Sequence, residues 1–209
     1  MKILVLGATG PTGQQVVTQA LGQGHSVTAF VRNPARLSIT DDRLRVVVGD
    51  ATRDTSNVAE AVRGQDAVVS ALGRGKSLTS DHLIERSIEV IVPAMERAEV
   101  RRLILVSAFG VGESRRDVPL GPRIMHRLFL RDLFADKNAA EDRVRRSGVE
   151  WTIVHPVLLT DGPLTGRYRA GERLELHGMP KISRADVAHF IVAEMENRAF
   201  VGKVAVVSY

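Results

Sequence analysis

The 209-residue sequence predicts an α/β fold: a doubly wound, mainly parallel sheet with helices on both faces. Two observations carry this expectation. Short, β-branched apolar runs alternate with longer stretches whose apolar residues recur at helical spacing. A glycine-rich turn, GATGPTG, also joins the first apolar run to the first helical one.

In chain order, KILVL (2–6) reads as a buried strand, and Val16, Val17, Ala20 and Leu21 share one face of a helix that Gly24 stops. SVTAFV (26–31), RLRVVVG (43–49) and DAVVSAL (66–72) are the next strands. A helix over about 80–98 aligns Ile84, Ile88, Ile91 and Met95, and Pro93 should kink it or remove one hydrogen bond. RLILVS (102–107) and EWTIVHP (150–156) are further buried strands, with helical residues around 136–147 between them. Ser183-Arg-Ala-Asp186 reads as a capping box opening a last helix, with Val187, Phe190, Ile191 and Met195 facing inward. KVAVVSY closes the chain as a strand. Strands alternating with helices imply right-handed crossovers. No repeat or linker divides the chain, so residues 1–209 form one domain. The irregular stretch 108–135 and the segment 157–182 are placed on the substrate side, because long connections are often binding loops.

Composition excludes several classes. No apolar run approaches bilayer length and no basic leader precedes the first strand, so a cytoplasmic protein without membrane association is expected. The absence of cysteine removes disulfides, zinc–thiolate sites and iron–sulfur clusters, and the histidines are scattered without metal-ligand spacing. No metal is therefore expected. Net charge is +5, but the arginines are dispersed and aromatic residues make up only 4%, which disfavours nucleic acid. A basic surface that attracts anionic cofactors accounts for the charge.

The glycine loop supplies the chemistry. Gly7, Gly10 and Gly13, with Thr9, Pro11 and Thr12 between them, let the backbone turn tightly and bring N–H groups to a pyrophosphate at a helix N-terminus. An acidic residue ending the second strand would select NAD; here the strand runs into VRNPARL, with Arg32, Asn33 and Arg36. A guanidinium there suits a 2′-phosphate, so the cofactor is read as NADP(H). Ligands of open α/β sheets sit beyond the carboxyl ends of strands. That adds Asp50-Ala51, Leu72-Gly73-Arg74, Ser107 and His155-Pro156-Val157 to the cofactor groove. Asp50 as a turn residue and His155 as a core histidine remain open beside these roles.

GATGPTGQQVV, VRNPARL, VVVGDATRD, GQDAVVSALG, VSAF, RRSGVEWTIVHP, DGPLTGRY and ISRADVAHF recur in order over nearly the whole chain. Together they resemble atypical short-chain dehydrogenases/reductases of the NAD(P)H-binding, NmrA-like group, most closely the flavin reductase/biliverdin-IXβ reductase type. The resemblance implies a Rossmann-type domain. It also implies an NADPH-dependent oxidoreductase passing hydride to a planar conjugated acceptor such as a flavin, quinone or tetrapyrrole. Ser107 and Lys137 match the family's catalytic Ser and Lys, but the tyrosine position is Leu133. The histidine that follows the sixth strand in flavin and biliverdin reductases is replaced by Leu158. Phe109, Met125, His126, Phe129 and Leu158 are expected to line the acceptor pocket, with Leu130 and Phe134 near by. Two alternatives accompany this reading: a non-catalytic NADP(H)-sensing regulator, and an enzyme resembling nucleotide-sugar epimerases or dehydratases. The protein is expected to act on a small acceptor as a monomer rather than a dimer.

Overall fold

The computed structural model describes residues 1–73, 82–112, 114 and 131–209. β1 (Lys2–Leu6), β2 (Ser26–Val31), β3 (Leu44–Val48), β4 (Ala67–Ser70), β5 (Arg102–Val106), β6 (Glu150–Pro156) and β10 (Lys203–Ser208) pair in parallel, and β8 (Arg169–Gly171) adds antiparallel to β10. The order is β3-β2-β1-β4-β5-β6-β10-β8. The chain runs outward from β1 through β2 to β3, then returns to the other side of β1 at β4. That reversal leaves a crevice over the carboxyl ends of β1 and β4, where ligands of such sheets bind.

Side-chain alternation along the strands builds two cores. Ile3 and Val5 of β1 face α1 (Pro11–Gly22) and α5 (Arg184–Asn197), together with Val16, Val17, Ala20, Val187 and Ile191. Leu4 and Leu6 face the other way, toward α2 (Thr55–Val62), α3 (Leu83–Arg97) and α4 (Arg131–Arg145), where Ile84, Ile88, Ile91 and Met95 are buried. Burying about 0.8 kcal/mol worth of each methylene on both faces explains why the strands read as continuous apolar runs. No helix of the described residues is long and apolar enough to cross a membrane.

Several expectations needed adjustment. The stretch DTSNVAEAV forms the short helix α2, with Val58, Ala61 and Val62 buried. Its eight residues give too few periods for the pattern to stand out. β7 (Leu158–Thr160) and β9 (Lys181–Ser183) form a separate parallel pair, and β8 is equally short. α4 begins at Arg131, so it takes up the end of the stretch expected to be irregular. Pro93 lies inside α3, a continuous helix from Leu83 to Arg97.

The expected capping box is only half formed. Ser183 Oγ accepts the Asp186 N–H at 2.9 Å, but the Asp186 carboxylate meets the Ser183 hydroxyl, at 2.9 Å, rather than the Ser183 backbone N–H, which goes to the Tyr209 hydroxyl. It accepts the backbone N–H groups of Thr165 and Gly166 at 2.9 and 2.8 Å and the Tyr209 hydroxyl at 2.7 Å. Burial works against its charge, yet these bonds hold its carboxyl down at about 2. Asp186 thus ties the segment after β7 to α5 and to the end of the chain.

Candidate functional site

The glycine loop is built as a cradle. Gly7 has φ +78, and a Cβ there would lie 2.5 Å from the Ala71 carbonyl oxygen, so β1 and the end of β4 approach too closely for any side chain. A Cβ on Gly13 would fall 2.1 Å from the Gly7 carbonyl oxygen, so the first turn of α1 packs directly on the loop. Gly10 differs: a Cβ there meets only the Gly7 carbonyl oxygen, at 3.2 Å, among the described residues. Two glycines close the backbone and the third leaves open space above it. Gly10 is also the N-cap of α1, with no side-chain cap and Pro11 at the helix start. Thr9 and Thr12 are half-buried in the same loop. This open, uncapped helix start, cleared of side chains, fits a pyrophosphate.

Beside it, Arg32 and Arg36 are exposed, and their side chains make no hydrogen bond or ion pair among the described residues. Asn33 between them is committed to the backbone, its Oδ1 accepting the Ala35 N–H at 3.1 Å. Asp50 is a turn residue: its Oδ1 accepts both the N–H and the hydroxyl of Thr52, at 2.9 and 2.7 Å. Its carboxyl is lowered first by the Thr52 N–H and further by the Thr52 hydroxyl and the charges of Arg32 and Arg53. Ala51 is buried, Leu72 is half-buried and Gly73 is exposed, where an added Cβ would meet no atom of the described residues within 4 Å. Arg74 lies outside the described residues, as do Met125, His126, Phe129 and Leu130.

Beyond β5 and β6 the structure assembles a buried polar cluster that spacing alone does not reveal. Ser107 Oγ donates to Glu141 Oε1 at 2.5 Å. His155 Nε2 lies 2.8 Å from the same oxygen, and Arg145 donates to Oε2 at 3.0 Å. Ser114 Oγ sits 2.9 Å from His155 Nδ1 and accepts the Gly110 N–H. Glu141 and His155 are 0% exposed and Ser107 5%. Both ring nitrogens of His155 are therefore taken within the protein, as in the core-histidine alternative that the sequence left open. Pro156 and Val157 are buried beside it, and the Pro156 carbonyl accepts the Phe109 N–H. The carboxylate stands between serine and histidine, so the imidazole cannot take the serine proton as it does in hydrolase triads.

Lys137 lies one turn before Glu141 on α4, 9% exposed and without a hydrogen-bond partner among the described residues. Burial lowers its ammonium to about 8, against the opposing charges of Glu141 and Asp136. Leu133, one turn earlier, occupies the same helix face, so the line reads Leu133, Lys137, Glu141. Glu141 was missed: Ala140 and Val144 mark the buried face that it shares, but nothing in that spacing pairs it with a serine 34 residues away. Leu158 is 57% exposed, its N–H given to the Pro180 carbonyl. His82, Glu85 and Asp136 bring ligand atoms within 4.8 Å of one another, but both Asp136 oxygens are taken by backbone N–H groups.

The chain belongs to the NAD(P)H-binding family, which it matches over residues 7–198. It is 34% identical to an uncharacterized chloroplastic protein of Arabidopsis thaliana over 79% of this chain, spanning 61% of that relative's length. It is 29% identical to the uncharacterized sugar epimerase YhfK of Bacillus subtilis, covering 96% of this chain and 92% of the relative. It is equally 29% identical to (4-alkanoyl-5-oxo-2,5-dihydrofuran-3-yl)methyl phosphate reductase of Streptomyces griseus, covering 99% and 67%. Among solved structures, ChuY, an anaerobilin reductase from Escherichia coli O157:H7, superposes with a TM-score of 0.81 at 25% identity, covering 99% of this chain and 96% of that one. Proteins named as reductases are thus among those similar to this chain, and ChuY shares its doubly wound fold.

Proposed function

We propose that the protein is an NADPH-dependent reductase that passes hydride to a planar conjugated acceptor such as a flavin, a quinone or a linear tetrapyrrole. The observation that carries this is the face of α4 that reads Leu133, Lys137, Glu141 beneath Ser107. A ketone or alcohol substrate needs a hydroxyl acid at the Leu133 position to move its proton. A conjugated acceptor spreads the arriving charge over its own ring system and makes no such demand. The cofactor supplies the hydride, and the protein binds and orients. Gly7, Gly10 and Gly13 with the start of α1 would hold the pyrophosphate, and Arg32 and Arg36 the 2′-phosphate. Lys137 would place a positive charge beside the ribose or an anionic acceptor, and Phe109 and Leu158 would flank the acceptor. The reductase names of the Streptomyces and ChuY relatives support this reading.

The name of the YhfK relative keeps a sugar epimerase in view, and Leu133 weighs against it, because such chemistry also removes a hydroxyl proton. Steady-state NADPH oxidation at 340 nm with FMN, menadione and biliverdin tests the proposal. Turnover with at least one acceptor is expected. Tight NADPH binding with no turnover on any of them would favour a cofactor-sensing regulator instead.

A further inference from the structure

The Ser107 hydroxyl is set from behind. A hydroxyl has one proton and two lone pairs, and an ionised carboxylate only accepts. Ser107 gives its proton to Glu141 Oε1 in a site shielded from water. Glu141 is held ionised by what surrounds it, with His155 on the same oxygen and Arg145 on the other. Burial raises its carboxyl, but the hydrogen bonds from His155 and Ser107 and the charges of His155 and Arg145 outweigh this and lower it. Turning the Ser107 proton outward would forfeit a charge-assisted bond to a buried carboxylate, the stronger kind. What Ser107 can offer a ligand is therefore its lone pairs.

We propose that Glu141 is a positioning residue that makes Ser107 a hydrogen-bond acceptor toward the groove, so that Ser107 selects an N–H donor, a role that rests on the dinucleotide-reductase reading above. The donor is the carboxamide N–H of nicotinamide or a ring N–H of the hydride acceptor. A carbonyl oxygen brought to the same place would set lone pairs against lone pairs. A ligand lacking the N–H would leave the serine oxygen unmatched, the situation that gives buried polar sites their discrimination.

Calorimetric titration of NADP⁺ and its 3-acetylpyridine analogue, which keeps the carbonyl and lacks the amide N–H, tests the cofactor source. The proteins are wild type, Ser107→Ala and Glu141→Gln. The wild type is expected to prefer NADP⁺ by about 3- to 10-fold, the worth of one neutral hydrogen bond, and both variants to bring the ratio within about 2-fold. If the N–H belongs to the acceptor, the cofactor ratio stays put. In that case kcat/KM for FMN relative to menadione, which has no N–H, falls by a similar factor in both variants. A purely structural role for Glu141 would move neither ratio. Should Glu141→Gln fail to fold, Ser107→Ala removes the same oxygen and leaves the contacts of Glu141 with His155 and Arg145 in place. Ratios unchanged in Ser107→Ala overturn the inference. Serine donating to the carbonyl would instead weaken both cofactors equally, which also overturns it. A folded wild type that binds neither dinucleotide overturns the reading of the groove and this role with it.

Discussion

Asp136 caps a helix other than its own: its Oδ1 accepts the Glu85 N–H at 2.8 Å, and its Oδ2 the Ile84 N–H at 3.2 Å. α3 starts after His82, which is left-handed (φ 52) and provides no side-chain cap, so the orphan donors of its first turn are met from α4. The same contact fixes α4 at the turn that carries Lys137.

Asp136→Ala should destabilise the fold by about 1–3 kcal/mol, the cost of a lost cap compounded by buried, unsatisfied N–H groups. Asp136→Asn keeps one acceptor oxygen and should lose about half as much. Urea denaturation measures both, and a loss under about 0.5 kcal/mol for the alanine variant would show that water replaces the cap without penalty.

Lys137 should leave a signature in stability against pH. The unfolded lysine holds its proton to its ordinary value of 10.5, whereas the folded one releases it near 8, chiefly through burial. Between these values the unfolded chain binds more protons, so stability rises with pH across that window. The contribution has a slope of up to about 1.4 kcal/mol per pH unit, and Lys137→Met removes it. Denaturation midpoints at pH 7.5 and 9.5 compare the two proteins. Curves that run parallel would mean that Lys137 titrates normally in the folded state.

Acceptor reduction should survive Lys137→Ala with a modest loss if no protein acid is needed for hydride transfer. A fall in kcat of about 10³-fold or more, beyond the effect of one positioning contact, would instead place Lys137 in proton transfer.

Gly10→Val should abolish dinucleotide binding while the fold persists. Among the described residues the added Cβ meets only the Gly7 carbonyl oxygen, at 3.2 Å, but its branches would enter the space expected to take the pyrophosphate. The same change at Gly13 should unfold the first turn, because its Cβ would sit 2.1 Å from that oxygen. Calorimetry with NADPH and a thermal melt separate the two cases. Retained NADPH affinity in Gly10→Val would contradict the phosphate-cradle reading.

Arg32 is expected to decide cofactor identity. With its guanidinium exposed and unpaired among the described residues, the wild type should favour NADPH over NADH by about 10-fold or more. Arg32→Ala should raise the Kd for NADPH by about 10- to 100-fold, the loss of one charge-assisted contact, and leave NADH nearly unchanged. Arg36 stands close enough in sequence to share the phosphate, so the double variant should show the larger loss. Added salt should weaken NADPH more than NADH. Equal wild-type affinity for both cofactors would refute the NADP assignment.

Most of the sheet and its helices were legible because strands buried on both faces read as unbroken apolar runs, and long amphipathic helices repeat their face several times. Ile84, Ile88, Ile91 and Met95 are a clear case, and all are buried. α2, β7, β8 and β9 escaped notice because three to eight residues carry too little periodicity. At the candidate site, Ser107 was read from its place after the fifth strand and from the family pattern, Lys137 from the family pattern, and Gly7, Gly10 and Gly13 from their spacing. Glu141 was not, since sequence distance hides a contact spanning 34 residues.

The sequence by itself determined the kind of protein: an alternating α/β chain with a glycine turn after its first strand and arginines after its second. These are local features, set by backbone freedom at glycine and by side-chain period, and they need no knowledge of what lies across the fold. Tertiary structure alone decided how the polar residues are used. His155 could equally have faced the cofactor, and the Asp186 carboxylate could have taken the Ser183 backbone N–H instead of the donors of Thr165, Gly166 and Tyr209. Which partner each meets depends on strand ends and helices converging from distant parts of the chain. A buried charge must be satisfied there by whatever donors that convergence supplies.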